Sequence, residues 1–185
     1  GKLVSKLKFT ARILYAIYIV LTLLEIILLL IGRMPLFDSV IHAFGTAGTG
    51  GFSNKNLSVG GYGSVYIDIV ITIFMFLFAI NFNIYYLILI GSVKQALKSE
   101  ELRAFLGIAA LSVTIIAAAL AINSVYRSAH EILRHTFFQV GSIMSTTGYF
   151  TADFTAWPMA AQAVLFILMF IGACAGSTGG GLKVS

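Results

Sequence analysis

Four long segments of apolar, almost uncharged residues restrict the folds that this sequence can adopt. They cover residues 13–31, 67–90, 104–122 and 159–174. About 20 apolar residues in a helix cross the hydrocarbon core of a bilayer, and each segment reaches or approaches that length. Hydrophobic residues make up 59% of the chain and charged residues only 10%, a balance typical of membrane proteins. We therefore predict an all-α membrane protein with four transmembrane spans.

A semi-apolar stretch too short to cross the membrane follows the first span, and another follows the third. Residues 36–44 and 132–144 are predicted to be short helices. Each precedes a segment of small and hydroxylated residues, at 46–52 and 145–150. This order predicts re-entrant helices that enter the membrane and leave it on the same side.

The two halves of the chain resemble each other. Superposing the Thr-Gly dipeptide at 49–50 on that at 147–148 gives an offset of 98 residues (147 against 49), with the flanking spans in register. Such internal repeats decide the architecture of a fold. We predict two tandem units of helix, pore helix with loop, and helix, in residues 1–96 and 97–185.

The basic residues predict the orientation, because cytoplasmic loops carry an excess of Lys and Arg. With four spans, eight of the twelve fall on one side, which places both ends of the chain in the cytoplasm and both loops outside. These eight are Lys2, Lys6, Lys8, Arg12, Lys94, Lys98, Arg103 and Lys183. They are separated by long uncharged runs and form no nucleic-acid patch, so we predict no nucleic-acid partner. Cys174 is the only cysteine, which excludes an internal disulfide.

The glycine-rich loops predict a water-accessible axis. Irregular backbone survives at membrane depth only inside protein or along water, because lipid cannot satisfy its amides and carbonyls. Glycine permits conformations that turn successive carbonyl oxygens toward one line, where they replace the hydration shell of a cation. Neither loop contains an acidic side chain, which favours a monovalent ion over a divalent one. The last helix is predicted to break at the glycine-rich residues 175–181.

Three motifs then identify a resemblance. Residues 42–53 (HAFGTAGTGGFS), 80–83 (INFN) and 145–149 (STTGY) closely resemble the Trk/Ktr/HKT family of potassium transporters, most of all its bacterial TrkH and KtrB type of subunit. The resemblance covers essentially the whole chain. In that family four such units surround one pore within a single polypeptide, and this chain resembles the second and third units.

The resemblance implies a site and a cargo. Potassium would be bound by filter carbonyls of Gly48, Thr49 and Gly50 in one loop and of Thr146, Thr147 and Gly148 in the other. The resemblance also implies a gating loop below the filter, made of Ala175, Gly176, Ser177, Thr178, Gly179, Gly180 and Gly181. It further implies a multi-pass protein of the bacterial inner membrane, working as a symporter or channel, with membrane lipid around it. The implied partners are a cytoplasmic nucleotide-binding ring of TrkA or KtrA type and a second copy of the full-length parent.

Other functions remain as alternatives. A membrane scaffold would use the glycines only for helix packing, and a less selective pathway would pass sodium with potassium. Residues 176–183 partly match the phosphate-binding P-loop motif. That motif needs Lys directly after its last glycine, and here Leu182 separates the last glycine from Lys183. No order of Ser, His and Asp suggests nucleophilic catalysis, so we predict no enzyme.

Four polar residues within or beside the spans need an explanation. Glu25 is a candidate functional group, since an ionisable side chain in a span is costly, or it pairs with a neighbouring helix. Asn81 and Asn83 are expected to cap or cross-link helices. His42 is expected to support the first re-entrant helix.

Overall fold

The structure, a computed structural model, describes the backbone of residues 2–184 and the side chains of residues 4–184. Within these residues the chain is mostly helical. Its elements are α1 (Lys2–Ile31), α2 (Leu36–Ala47), α3 (Val65–Ala79), α4 (Phe82–Leu89), α5 (Val93–Leu97), α6 (Glu100–Ile122), α7 (Ala129–Met144), α8 (Met159–Phe170), β1 (Ile171–Cys174) and β2 (Leu182–Val184), with 3₁₀ turns at Ser58–Tyr62 and Phe154–Ala156.

Helices α1 and α6 correspond to the first and third predicted spans. Both are long and apolar enough to cross a membrane, and the bent pair of α3 and α4 adds a third span if it is counted as one. The 23 residues of α6 extend about 35 Å, enough for a hydrocarbon core of about 30 Å. The chain is therefore a mostly helical membrane protein with two or three apolar spans, and the four-span arrangement stays a prediction.

The second apolar segment, over 67–90, is two helices, and the break between them falls at the asparagines that interrupt its apolar run. The axes of α3 and α4 meet at 89°. Ile80 between them is extended, with φ −78° and ψ 147°. The Asn81 side chain accepts a hydrogen bond from the Asn83 amide at 2.9 Å and so caps the start of α4. These two asparagines begin a new helix instead of interrupting an old one.

The fourth apolar segment forms less helix than predicted. Helix α8 ends at Phe170, and its 12 residues extend only about 18 Å. The next four residues, predicted to be helical, form β1, which pairs in parallel with β2 and places Ile171 opposite Leu182. Strand pairing takes the place of helix because the chain folds back on itself through residues 175–181 and offers β1 a partner.

The two predicted repeats share one interior. Helix α3 of the first packs against α7 of the second, where Arg134 Nε lies 3.6 Å from Asp68 Oδ2. Phe138 and Tyr149, both from the second repeat, are fully buried in the hydrophobic cluster of the first. The predicted boundary between residues 96 and 97 falls within α5 and stays a prediction.

Candidate functional site

The two short helices that the sequence predicts to be re-entrant are α2 and α7, and each ends directly before a glycine-containing loop. Their path through a membrane stays a prediction. Helix α2 ends at Ala47 and α7 at Met144. Ser128 caps the start of α7, because its hydroxyl accepts a hydrogen bond from the Glu131 amide at 3.2 Å. The C-terminal end of each helix, which carries about half a negative charge, therefore adjoins its loop.

The hydrogen bonds that close the two helices are the same in both repeats. The amides of residues 50–51 donate to the Gly45 carbonyl at 2.8 and 3.3 Å. The amides of residues 147–148 donate to the Ser142 carbonyl at 2.9 and 3.3 Å. The equivalent positions are therefore 97 residues apart (147 against 50), and the predicted offset of 98 is wrong by one residue.

The backbone angles give the same register. Thr49 and Thr146 both have positive φ, at 51° and 60°. Gly51 and Gly148 follow with φ of 66° and 89°. Thr49 is thus equivalent to Thr146, not to Thr147. The first loop contains two adjacent glycines, and the second of them matches the single glycine of the second loop.

Gly48, predicted to contribute a filter carbonyl, belongs to the end of α2. Its φ of −84° and ψ of 1° are close to helical, and its amide donates to the Phe44 carbonyl at 2.9 Å. The equivalent stretches of loop are therefore residues 49–51 and 146–148.

Six carbonyl oxygens in these stretches accept no hydrogen bond from any residue between Lys2 and Val184. An unpaired carbonyl away from water costs roughly 1–3 kcal/mol, so such groups need water or a cation. Gly50 and Gly148 are exposed, which leaves one face of each loop open. The six carbonyls are those of Thr49, Gly50, Gly51, Thr146, Thr147 and Gly148.

The two loops touch each other. A Cβ atom built on Gly51 would lie 1.9 Å from the Thr147 carbonyl oxygen, so only glycine permits this approach. The buried Tyr149 hydroxyl has one proton, which it shares between the carbonyl oxygens of His42 at 3.0 Å and of Phe52 at 3.3 Å. Tyr149 thereby ties the second loop to the helix and the loop of the first repeat.

His42 supports the first re-entrant helix and its loop. Its Nδ1 lies 2.8 Å from the Asp38 carbonyl, which only accepts, so Nδ1 carries the proton. In the neutral ring Nε2 then accepts from the Ser53 hydroxyl at 2.9 Å. The histidine therefore fastens the segment after the loop to the body of α2.

Replacing Tyr149 with phenylalanine should weaken this junction. The change removes one donor and leaves the His42 carbonyl with one partner fewer, which should lower stability by about 1–2 kcal/mol. Thermal unfolding of the detergent-solubilised protein measures the effect. Tyr15→Phe is the control, because Tyr15 is 71% exposed. Equal melting temperatures for the two variants would contradict the role given to Tyr149.

The glycine-rich residues 175–181 lie against both loops. The Thr49 hydroxyl donates to the Thr178 carbonyl at 3.2 Å, and the Gly180 amide donates to the Thr146 hydroxyl at 2.7 Å. Thr49 and Thr146 are the equivalent positions of the two repeats. The corrected register therefore identifies one threonine per repeat that binds the same segment.

Further contacts fix the path of this segment. The Thr178 amide and hydroxyl both donate to the Phe78 carbonyl at the end of α3, at 3.3 and 3.1 Å. The Lys183 ammonium donates to the Gly179 carbonyl. Gly176 and Gly181 have φ of 70° and 77°, which lets the chain reverse direction at both ends of the segment.

Glu101 also binds this segment, a role that the sequence analysis missed. One carboxylate oxygen accepts from the Ala175 amide, and the other accepts from the Asn81 side chain at 3.0 Å. The only signal in the sequence is an acidic residue at the start of a span. Such residues occur at many helix starts because they favour the helix dipole, so the signal is weak.

Glu25, a candidate functional residue in α1, has no partner among the described residues. It is fully buried, and neither carboxylate oxygen has a hydrogen bond. The Thr46 hydroxyl lies near the carboxyl but donates to the His42 carbonyl at 2.7 Å. The expected pairing with a neighbouring helix is therefore not found, and Glu25 stays a candidate.

Comparisons with known proteins agree with this architecture. A family model described as TrkH, cation transport protein, matches residues 1–185. The chain is 38% identical over 185 residues to the Trk system potassium uptake protein TrkH of Salmonella typhimurium and 36% identical to that of Escherichia coli. It superposes with a TM-score of 0.90 and 33% identity on the crystal structure of the potassium transporter TrkH from Vibrio parahaemolyticus, over 96% of this chain.

The chain is much shorter than these relatives. It covers 38% of the length of both curated proteins and 38% of the crystallised chain. The matched region contains α2, α7, the loops that follow them and the glycine-rich segment.

Proposed function

Because the chain belongs to the TrkH family of cation transport proteins, we propose that its parent takes up potassium across the bacterial inner membrane. This chain supplies two of the loops that line the path. The relatives named above are potassium uptake proteins, which supports potassium as the cargo. Potassium is the transported substrate in this proposal, not a resident cofactor.

The six free carbonyls of residues 49–51 and 146–148 carry the proposal. They belong to equivalent positions in two repeats, and the two loops are in contact at Gly51. Carbonyl oxygens in such an arrangement replace the hydration shell of a potassium ion. The C-terminal ends of α2 and α7 add negative potential at the same place. The filter in this proposal uses Thr49, Gly50 and Gly51 in the first loop, one residue later than the sequence analysis predicted.

Residues 175–181 form the gate in this proposal. The segment is bonded to Thr49 on one side and Thr146 on the other, so it lies across the end of the path next to the filter. Four of its seven residues are glycines, whose backbone can adopt many conformations, so the segment can rearrange once its hydrogen bonds open. An ion can pass when these two bonds open and the segment moves aside.

The proposed orientation places the filter toward the outside and the gate toward the cytoplasm. It rests on the excess of basic residues at the start of the chain and between α4 and α6. A cytoplasmic nucleotide-binding ring of TrkA or KtrA type then has access to the gate side. The parent works as a homodimer surrounded by membrane lipid.

Ion flux through the full-length parent tests the proposal. Purified parent in proteoliposomes should take up rubidium, and external potassium should compete more strongly than sodium. A parent that moves no potassium would refute transport, and glycine substitutions that change only oligomer size would favour the scaffold alternative. Equal competition by sodium and potassium would favour the less selective pathway.

Gly148→Ala should lower the potassium flux of the parent and change its preference over sodium. A Cβ at this position meets nothing within 4 Å, but the φ of 89° is unfavourable for alanine by about 1–2 kcal/mol. The backbone should relax away from this angle and turn the filter carbonyls. Gly91→Ala is the matched control, since Gly91 has φ 83° and equally free space. The filter assignment fails if both variants conduct like the wild type.

A further inference from the structure

Glu101 joins two parts of the molecule that are far apart in sequence. It lies in the first turn of α6, and one of its oxygens accepts a hydrogen bond from the Ala175 amide. Ala175 is the first residue of the glycine-rich segment. The second oxygen accepts from the Asn81 side chain at 3.0 Å, at the bend between α3 and α4. One carboxylate thus holds the segment and the bend together.

Asn81 extends this connection. Its side-chain oxygen caps α4 through the Asn83 amide, and its amide group donates to Glu101. Gly176 packs directly on it, since a Cβ at that position would lie 2.8 Å from the Asn81 oxygen. The Phe82 amide donates to the Gly176 carbonyl at 3.2 Å. The first two residues of the glycine-rich segment are therefore held by α6 and by the start of α4.

A comparison with the adjacent acid, Glu100, distinguishes the role of Glu101 from that of an ordinary acidic residue at a helix start. Glu100 lies in the same first turn and favours the helix dipole equally, but it is exposed and makes no hydrogen bond or ion pair with the described residues. Ser99 already caps α6 by accepting from the Leu102 amide at 3.3 Å. The two hydrogen bonds of Glu101 therefore hold the glycine-rich segment and the bend between α3 and α4, and neither caps the start of α6.

We propose that Glu101 is a positioning residue that, together with Asn81, holds residues 175–181 across the end of the path and thereby stabilises the closed conformation. This inference rests on the proposed function of the segment as a gate. Glu101 holds the beginning of the segment, whereas Thr49 and Thr146 hold its middle and end. Release of the carboxylate frees the segment to leave the two threonines.

The test uses the complete parent in planar bilayers. Glu101→Ala should raise the open probability about tenfold, because hydrogen bonds to charged groups are among the stronger ones in proteins. The permeability ratio of potassium to sodium should not change, since the filter loops keep their contacts. Glu101→Gln keeps an oxygen that can accept from the Ala175 amide. Its new NH₂ group would face the NH₂ group of Asn81, and two donors cannot bond to each other, so the increase in open probability should be intermediate. Glu100→Ala is the control.

Hydrogen exchange of residues 175–181, measured by mass spectrometry on the same variants, separates this inference from the proposed function. Faster exchange in Glu101→Ala than in Glu100→Ala supports the inference even if the parent conducts no potassium. Equal exchange in the two variants overturns it, and so does an unchanged open probability or a shifted permeability ratio. If Glu101→Ala does not fold, the same measurements are made on Glu101→Gln and compared with those on Glu100→Gln, and the same outcomes support or overturn the inference.

Discussion

Replacing Gly51 with alanine should reduce potassium flux through the parent protein to the level of protein-free liposomes. The new Cβ atom would lie 1.9 Å from the Thr147 carbonyl oxygen and 2.9 Å from its carbon. These are backbone atoms, so no side-chain rotation relieves the collision, and the two loops must separate. The φ of 66° adds a further cost of about 1–2 kcal/mol for any residue with a Cβ. Rubidium uptake by proteoliposomes measures the loss.

The control for this change is Gly63→Ala. Gly63 has a similar φ of 57°, but a Cβ there meets nothing within 4 Å. The Gly63→Ala variant therefore has the conformational cost of a positive φ without the collision. Potassium flux through it should remain close to that of the wild type. Wild-type flux and selectivity in Gly51→Ala would mean that contact between the loops is not needed for conduction, which would contradict the proposed filter.

The existence of the two loops could be predicted from sequence, but their register could not. Re-entrant helices followed by small and hydroxylated residues are visible in the composition of residues 46–52 and 145–150. The first loop contains Gly50 and Gly51, and either can be aligned with the glycine of the second. Hydrogen bonds from the loop amides to Gly45 and Ser142 decide the alignment, and these depend on where each helix ends.

The helix breaks were partly predictable. Asn81 and Asn83 were expected to cap or cross-link helices, and Asn81 does cap α4, but hydropathy alone could not give the bend of 89°. The early end of α8 has only a weak local signal, because residues 171–174 are apolar and Gly172 is the one poor helix former among them. They form a strand only because β2 returns to pair with them. Glu101 was missed for a similar reason: its two partners lie 20 and 74 residues away in sequence.

Gly172→Ala in the parent should produce a protein that leaks potassium. A Cβ at this position would lie 2.4 Å from the Gly180 carbonyl oxygen and 2.7 Å from that of Leu182. The first is a backbone atom of the glycine-rich segment and the second a backbone atom of β2, so β1 must move away from both. Gly180 also donates to the Thr146 hydroxyl, and its displacement breaks the contact between the glycine-rich segment and the second loop. The open probability in planar bilayers should therefore approach its maximum.

Gly180→Ala is the matched comparison, because Gly180 is the residue whose carbonyl oxygen the new Cβ of Gly172→Ala would meet. Its Cβ would meet only the Thr146 hydroxyl oxygen at 3.5 Å, an ordinary van der Waals distance. The strands can stay paired, so this variant should gate like the wild type although it removes a glycine from the segment itself. Loss of flexibility within the segment would affect Gly180→Ala, whereas separation of the strands affects only Gly172→Ala. Equal gating in the two variants would show that strand pairing does not hold the segment closed.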